Sequence, residues 1–438
     1  MITKPLTTIL YLPTRYFPSI SGAEFYFQRM AEILTQVYKY KIDIFTSNAI
    51  DFKALRNPNG KIITKENKFY DQVNNLKINR FSVSYNVREI DILKKLNTIP
   101  AYRVLNLSED CVIKLIQNGP YLGDLLDFFL KKPDLNYDLI HATFFPYFNL
   151  LISLIIGTLI KKPKICTPFF HFSNPRYLDL KLIEVLKRFD LLISCTKIEK
   201  TYLIQKCHIP PEKIRVIPMG VDYEKFEISQ KKRLENASFK QKFFKKGEKK
   251  YKLVLFCGHK NYEKGALTIL RSIPYILKKI KKVYFVFIGP STIAFNQEIS
   301  KIQKFENARI INFTPDNLAG YFDKKKISAF KEADVYLMPS RSDAFGISFL
   351  EAWSARKPVI GARIGATPEV IRENVDGLLV NFDNPQDVAR NVIILLKSKR
   401  LREKYGLAGQ LKVSQKYTWE KIAHKTHEAY ESLINNYN

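Results

Sequence analysis

The strongest constraint on this chain is a rhythm. Short apolar runs, each closed by a turn, are followed by segments whose apolar residues recur every three to four positions. Residues 7–11 form one such run, and after a loop Ser21, Gly22, Ala23 and Glu24 open a helical pattern carried by Phe25, Met30, Ile33, Leu34 and Val37. Strand, glycine-containing turn and helix in that order make the first unit of a parallel sheet, because parallel neighbours need a crossover and a helix supplies it. Further strands are expected at residues 42–46, 76–83, 189–195 and 214–218, with a helix over 196–204. Residues 84–136 show no clear period and are expected to be irregular.

The rhythm breaks at Pro218, Met219, Gly220, Val221 and Asp222, and a lysine-rich segment follows. It then restarts, with strands expected at 253–257, 283–289, 308–313, 335–338, 358–361 and 378–380. A helix after the first of these carries Leu267, Leu270, Ile273, Leu277 and Ile280, and a terminal amphipathic helix carries Trp419, Ile422, Ala423, Thr426, Tyr430 and Leu433. The expected class is α/β: two Rossmann-like domains, 1–217 and 218–412, facing a central cleft, with 413–438 as a C-terminal helix.

At 46% hydrophobic residues the chain has material for large cores, which excludes disorder of the whole. Its net charge of +29 implies anionic company: a nucleic acid, an anionic membrane surface or a phosphate-bearing substrate. The lysines and arginines are spread along the chain, and no finger, basic helix or aromatic platform accompanies them, so nucleic acid is not expected. The five cysteines form no CxxC pair and sit mostly in apolar runs, as small buried hydrophobes in a reducing compartment would. Pro13 breaks the first apolar run, so no signal peptide is expected, and the location expected is cytoplasmic. Residues 147–160 are the most apolar stretch but fall short of the roughly 20 needed to cross a bilayer; a buried helix is expected, with a membrane interface as the alternative.

Candidate chemistry gathers in residues 339–371, PSRSDAFGISFLEAWSARKPVIGARIGATPEVI. Asp343 and Glu351 stand eight positions apart, a little over two helical turns, so they can hold different parts of one elongated polar ligand. Gly346 lies where a strand gives way to a helical pattern, and a helix N-terminus with glycine lets an anion approach unpaired amides. A capped buried helix with solvated acids fits the same spacing. Residues 258–265, GHKNYEKG, place Lys264 and Gly265 at the next helix start, as a diphosphate clamp or as an ordinary solvated lysine. Glu369, in the Thr-Pro-Glu start at 367–369, is given a capping role. His141 and His171 each follow a strand-like run, where ligands of open α/β sheets gather, although a lone histidine is more often structural. Ser21 and Glu24 fit a capping box; the functional alternative is that Gly22 leaves a helix start open to phosphate.

Taken in order, Ser21 to Glu24, the His141 and His171 segments, residues 217–222, 258–265 and 339–371 resemble the family-four retaining glycosyltransferases of the two-Rossmann-domain GT-B fold. The terminal helix resembles the one that in this fold crosses back to the first domain. The resemblance implies a nucleotide-sugar donor, UDP- or GDP-linked, seated mainly on the second domain. It implies Asp343 at the donor sugar's hydroxyls, Glu351 at the ribose, backbone N–H groups of Gly346, Ile347 and Ser348 at the diphosphate, and Lys264 neutralising it. Gly258 and either His259 or Lys260 would also serve the diphosphate, Gly22 the donor phosphate, and His171 the transferred sugar. Neither metal nor other cofactor is expected. The acceptor implied is a glycan or a lipid-linked molecule met by residues 84–136, at an anionic membrane face. A nucleotide-sugar-binding partner or regulatory subunit with little turnover is the alternative. The chain departs from the family pattern in having Asp343 for Glu, His259 for Arg, Met219 for Asn and Arg356 for Gly.

Overall fold

The computed structural model describes residues 6–19, 21–64, 66, 71–132, 135–227 and 238–437. The chain forms two compact units, Met1–Pro218 with Trp419–Asn438, and Met219–Thr418.

The first unit is built on eight strands: β1 (Thr8–Pro13), β2 (Lys41–Ser47), β3 (Gln72–Val73), β4 (Leu76–Phe81), β5 (Leu139–Thr143), β6 (Lys164–Cys166), β7 (Leu191–Ser194) and β8 (Ile214–Val216). Their order is β3-β4-β2-β1-β5-β6-β7-β8. All pairings are parallel except that β3 folds back onto β4 through Asn74 and Asn75, whose φ angles of 49° and 66° make a tight hairpin. The 147–160 stretch is a core helix, Asn149–Leu159, with every residue from Asn149 to Gly157 buried. It packs on β5, β1 and β6, so its apolar composition serves the interior.

Residues 84–136 depart from expectation. They form four helices, Glu89–Asn97, Pro100–Val104, Glu109–Asn118 and Gly123–Lys131. None exceeds ten residues, too short for a period to stand out, and each join carries a stop or start signal such as Pro100, Ser108 or Gly119. Ile92, Leu96, Leu115, Leu125 and Phe129 then share one core with Phe148 and Leu151. The terminal helix Trp419–Tyr437 packs against the helix Gly22–Tyr38 within this unit, with Trp419 buried beside the rings of Phe25 and Tyr26. Its return begins at Trp419; residues 413–416 still belong to the helix Lys399–Lys416 of the second unit.

The second unit carries β9 (Lys252–Cys257), β10 (Val283–Ile288), β11 (Ile310–Phe313), β12 (Val335–Met338), β13 (Val359–Ala362) and β14 (Gly377–Val380), all parallel, in the order β11-β10-β9-β12-β13-β14. Central strands such as VYFVFI of β10 are apolar throughout because helices cover both faces of a parallel sheet. No helix among the described residues is long and apolar enough to cross a membrane.

Candidate functional site

Ligands of open parallel sheets collect at the carboxyl ends of strands where the strand order reverses, because the loops there diverge. In the second unit that reversal lies between β9 and β12, and the loops leaving them are residues 258–265 and 339–346, the two stretches singled out by sequence. They are knitted together. The Arg341 guanidinium pairs with the Glu263 carboxylate, its backbone N–H donates to the Glu263 carbonyl at 2.8 Å, and the Ser340 hydroxyl donates to the same carbonyl at 3.1 Å. Gly265, at φ 72°, has no room for a side chain: a Cβ would stand 2.3 Å from the Pro339 carbonyl oxygen.

This contact brings Lys264 onto Asp343, with Nζ 2.7 Å from Oδ2 and 3.1 Å from the Ser342 carbonyl. Gly346 then turns the chain at φ 94°, where a Cβ would meet the Phe349 ring at 2.6 Å, and the helix Ile347–Ser354 begins. The Phe349 amide bonds back to the Gly346 carbonyl, while the amides of Ile347 and Ser348 lie in the first turn, where a helix offers no carbonyl partner. The dipole of the helix adds positive potential at the same place. The Ser348 hydroxyl turns inward, toward Met338 Sδ at 3.4 Å.

Glu351 does not stand open. It is 2% exposed and its Oε1 lies 2.7 Å from the ammonium of Lys326. The Tyr321 hydroxyl bonds the same side chain, and burial together with that carboxylate pushes the phenol's pKa up. The two acids therefore each carry a lysine. Lys260 is buried and faces away, donating to the Asn312 side chain and, at 2.9 Å, to the Phe313 carbonyl; burial lowers its pKa to about 8. His259 is exposed at its edge, with Nδ1 2.9 Å from the Asn261 amide nitrogen. Enough protein surrounds the imidazole that desolvation, and then the charges of Lys264 and Lys260, lower its pKa. Gly258 is the first residue after β9, its N–H bonded to the Ile288 carbonyl. The helix at 367–370 starts after Ala366 with no side-chain cap. Arg356, where the resembled family has glycine, adopts φ 55° and hydrogen-bonds the Gln410 side chain, and Met219 is buried.

In the first unit the order reverses between β1 and β5, and the loop after β1 leads to Gly22, the first residue of its helix. Ser21 does not form the capping box: its hydroxyl donates to the Glu24 carboxylate, which also pairs with Arg15 at 2.7 Å. His171 lies in the loop after β6, its ring 4.8 Å from that of Tyr177 and edge-on to Phe144. His141 lies within β5 rather than after it. Both ring nitrogens are engaged, by Tyr430 and Thr167, and burial pushes its pKa down to about 3, so it is a neutral core histidine.

Sequence reasoning missed three supporting residues. Lys326 and Tyr321 hold Glu351; the only sequence signal was a lysine run, 324–326, at a helix start. Glu199, fully buried, accepts from the Phe170 amide at 3.2 Å and the Cys195 amide at 2.7 Å, and so ties down the loop that carries His171.

Two Rossmann-like units of this kind on one chain define the GT-B fold of glycosyltransferases. Residues 238–412 match the family described as glycosyl transferases group 1, and residues 99–225 match glycosyltransferase family 4. The chain belongs to these glycosyltransferases. An uncharacterized glycosyltransferase of Methanocaldococcus jannaschii is 23% identical across 98% of this chain and 99% of its own length. A D-inositol 3-phosphate glycosyltransferase of Corynebacterium jeikeium is 26% identical across 57% of this chain, which spans 59% of that relative. Another uncharacterized M. jannaschii glycosyltransferase is spanned over 64% of its length at 27% identity. The fold is shared with Anabaena HepE crystallised with UDP-glucose, with TM-score 0.69 and 15% identity over 97% of this chain and 100% of HepE. It is shared with sucrose-phosphate synthase from Thermosynechococcus elongatus, with TM-score 0.69 and 16% identity over 98% of this chain and 100% of that one.

Proposed function

We propose that this chain moves a sugar from a UDP- or GDP-linked donor to a glycan or lipid-linked acceptor, retaining the anomeric configuration and using no metal. The observation that carries the reading is the helix start at Gly346, where first-turn amides, Lys264, Asp343 and Glu351 are assembled by two bonded loops at the strand reversal. The solved structures of HepE with UDP-glucose and of the E. coli trehalose-6-phosphate protein with UDP-2-fluoro glucose share the fold and support a nucleotide donor.

In this reading the Ile347 and Ser348 amides and the helix dipole take the diphosphate, and Lys264 leaves Asp343 to neutralise it. Asp343 is thereby released to accept hydrogen bonds from the sugar hydroxyls, and Glu351 accepts from the ribose. His259, and not the inward-facing Lys260, adds to the diphosphate seat beside Gly258. In the first unit Gly22 is assigned to the donor phosphate and His171 to the transferred sugar. Charge grows on the leaving diphosphate in the transition state, so amides and an ammonium aimed there lower the barrier. The departing phosphate oxygen takes the acceptor's proton as the acceptor attacks from the same face, which retains configuration.

The test is a panel of labelled nucleotide-sugars with and without EDTA. Transfer or slow hydrolysis that survives EDTA is expected, with Asp343→Ala lowering kcat and Glu351→Gln raising donor KM. Tight binding with neither transfer nor hydrolysis would instead mark a nucleotide-sugar-binding partner. The +29 charge supports attachment to an anionic membrane face; sedimentation with anionic liposomes at low salt tests it, and no binding there removes that part.

A further inference from the structure

The helix Lys324–Glu332 opens with three lysines, and a cation in a first turn opposes the helix dipole. Lys324 is exposed and Lys325 is half-buried with its ammonium on the Asn317 carbonyl, but Lys326 is buried, so it also loses hydration. Two unfavourable terms on one residue call for a specific partner. That partner is Glu351, 2.7 Å from the ammonium, and the surroundings are built to hold the pair. The ammonium sits 3.7 Å above the Tyr321 ring centroid, with the Phe226 and Phe330 rings at 5.6 and 5.9 Å. Asp323 fixes the helix start, accepting from the Lys325 amide at 2.6 Å and the Ala319 amide at 2.7 Å.

A carboxyl group buried without a cation takes up a proton near neutral pH, and a protonated carboxyl no longer offers two acceptor oxygens to a vicinal diol. The other ionisable groups facing the pair do not supply the missing charge. Cys257 and Tyr336 are held neutral by burial, Asp222, near Tyr321, is an acid, and Lys260, beside Cys257, is bonded to Asn312 and to the Phe313 carbonyl. We propose that Lys326 and Tyr321 are positioning residues that hold the Glu351 carboxylate aimed at the ribose diol of the donor, and so set nucleotide affinity. The inference rests on the donor site proposed above.

Binding of UDP and of GDP is measured by calorimetry at pH 7 for the wild type, Glu351→Gln, Lys326→Met, Lys326→Arg and Tyr321→Phe. Lys326→Met is expected to bind about tenfold more weakly at pH 7, the scale of one charge-assisted hydrogen bond. Lys326→Arg is expected to restore part of the affinity. Tyr321→Phe, which removes only a hydroxyl and is checked for native circular dichroism, is expected to weaken binding several-fold. Added to Glu351→Gln, Lys326→Met is expected to change affinity by less than about twofold, because both act through one group. If the wild type binds neither nucleotide, the donor site itself is wrong and this inference falls with it. If Glu351→Gln weakens binding while Lys326→Met and Tyr321→Phe do not, the donor site stands and only this inference is overturned.

Discussion

His141 makes the stability of the first unit depend on pH in a way that can be calculated. Buried in β5 between Tyr430 and Thr167, it has a folded pKa of about 3, against about 6.5 for an exposed imidazole. Below pH 6.5 the unfolded chain therefore binds a proton that the folded chain refuses. Stability is fully present above 6.5 and is lost as pH falls, until the folded group itself titrates near 3. Between pH 7 and pH 5 the loss from this one residue is about 2 kcal/mol, from a slope of about 1.4 kcal/mol per pH unit. The chain supplies its own reporter, because its two tryptophans are divided: Trp419 is buried in the first unit and Trp353 in the second. In a Trp353→Phe background, urea titrations followed by Trp419 fluorescence at pH 7 and pH 5 give the stability difference with and without His141→Gln. Glutamine keeps hydrogen-bonding capacity but cannot titrate, so its variant should lose about 2 kcal/mol less over the interval, whatever its stability at pH 7. Equal losses in the two proteins would refute the assignment of a neutral, buried histidine.

Other outcomes follow from the same geometry. Gly346→Ala should weaken nucleotide binding and cut turnover, because a Cβ 2.6 Å from the Phe349 ring at φ 94° moves the first-turn amides; donor KM and kcat measure it, and wild-type kinetics would speak against the helix start. His259→Ala should weaken UDP binding while Lys260→Met leaves it within about twofold, since Lys260 is tied to Asn312 and Phe313; the reverse pattern in calorimetry would exchange their roles. Burial pushes the thiols of Cys111 and Cys257 up to about 12 and that of Cys207 to about 11, so at pH 8 all three should react slowly with a disulfide reagent until urea unfolds the chain.

Much of the fold was legible because a parallel sheet writes itself locally: each strand is a short apolar run and each crossover a helical period, so β9 and β12 and the loops after them could be placed residue by residue. Gly346 was legible for the same reason, since a strand-to-helix turn at φ 94° selects glycine. The helices between residues 89 and 131 were not, because each is too short to show its period and is held by the core it shares with Phe148 and Leu151. Partners were not legible either. Glu351 meets a lysine 25 positions earlier, and His141 a tyrosine 289 positions later, contacts that strand order and helix packing create. The sequence thus placed Gly265 and Gly346 at the turns after β9 and β12, but it put His141 after a strand that in fact contains it. Only the tertiary structure decided which charges are paired, which histidine is core and which lysine reaches Asp343, because burial and proximity are properties of the packed chain.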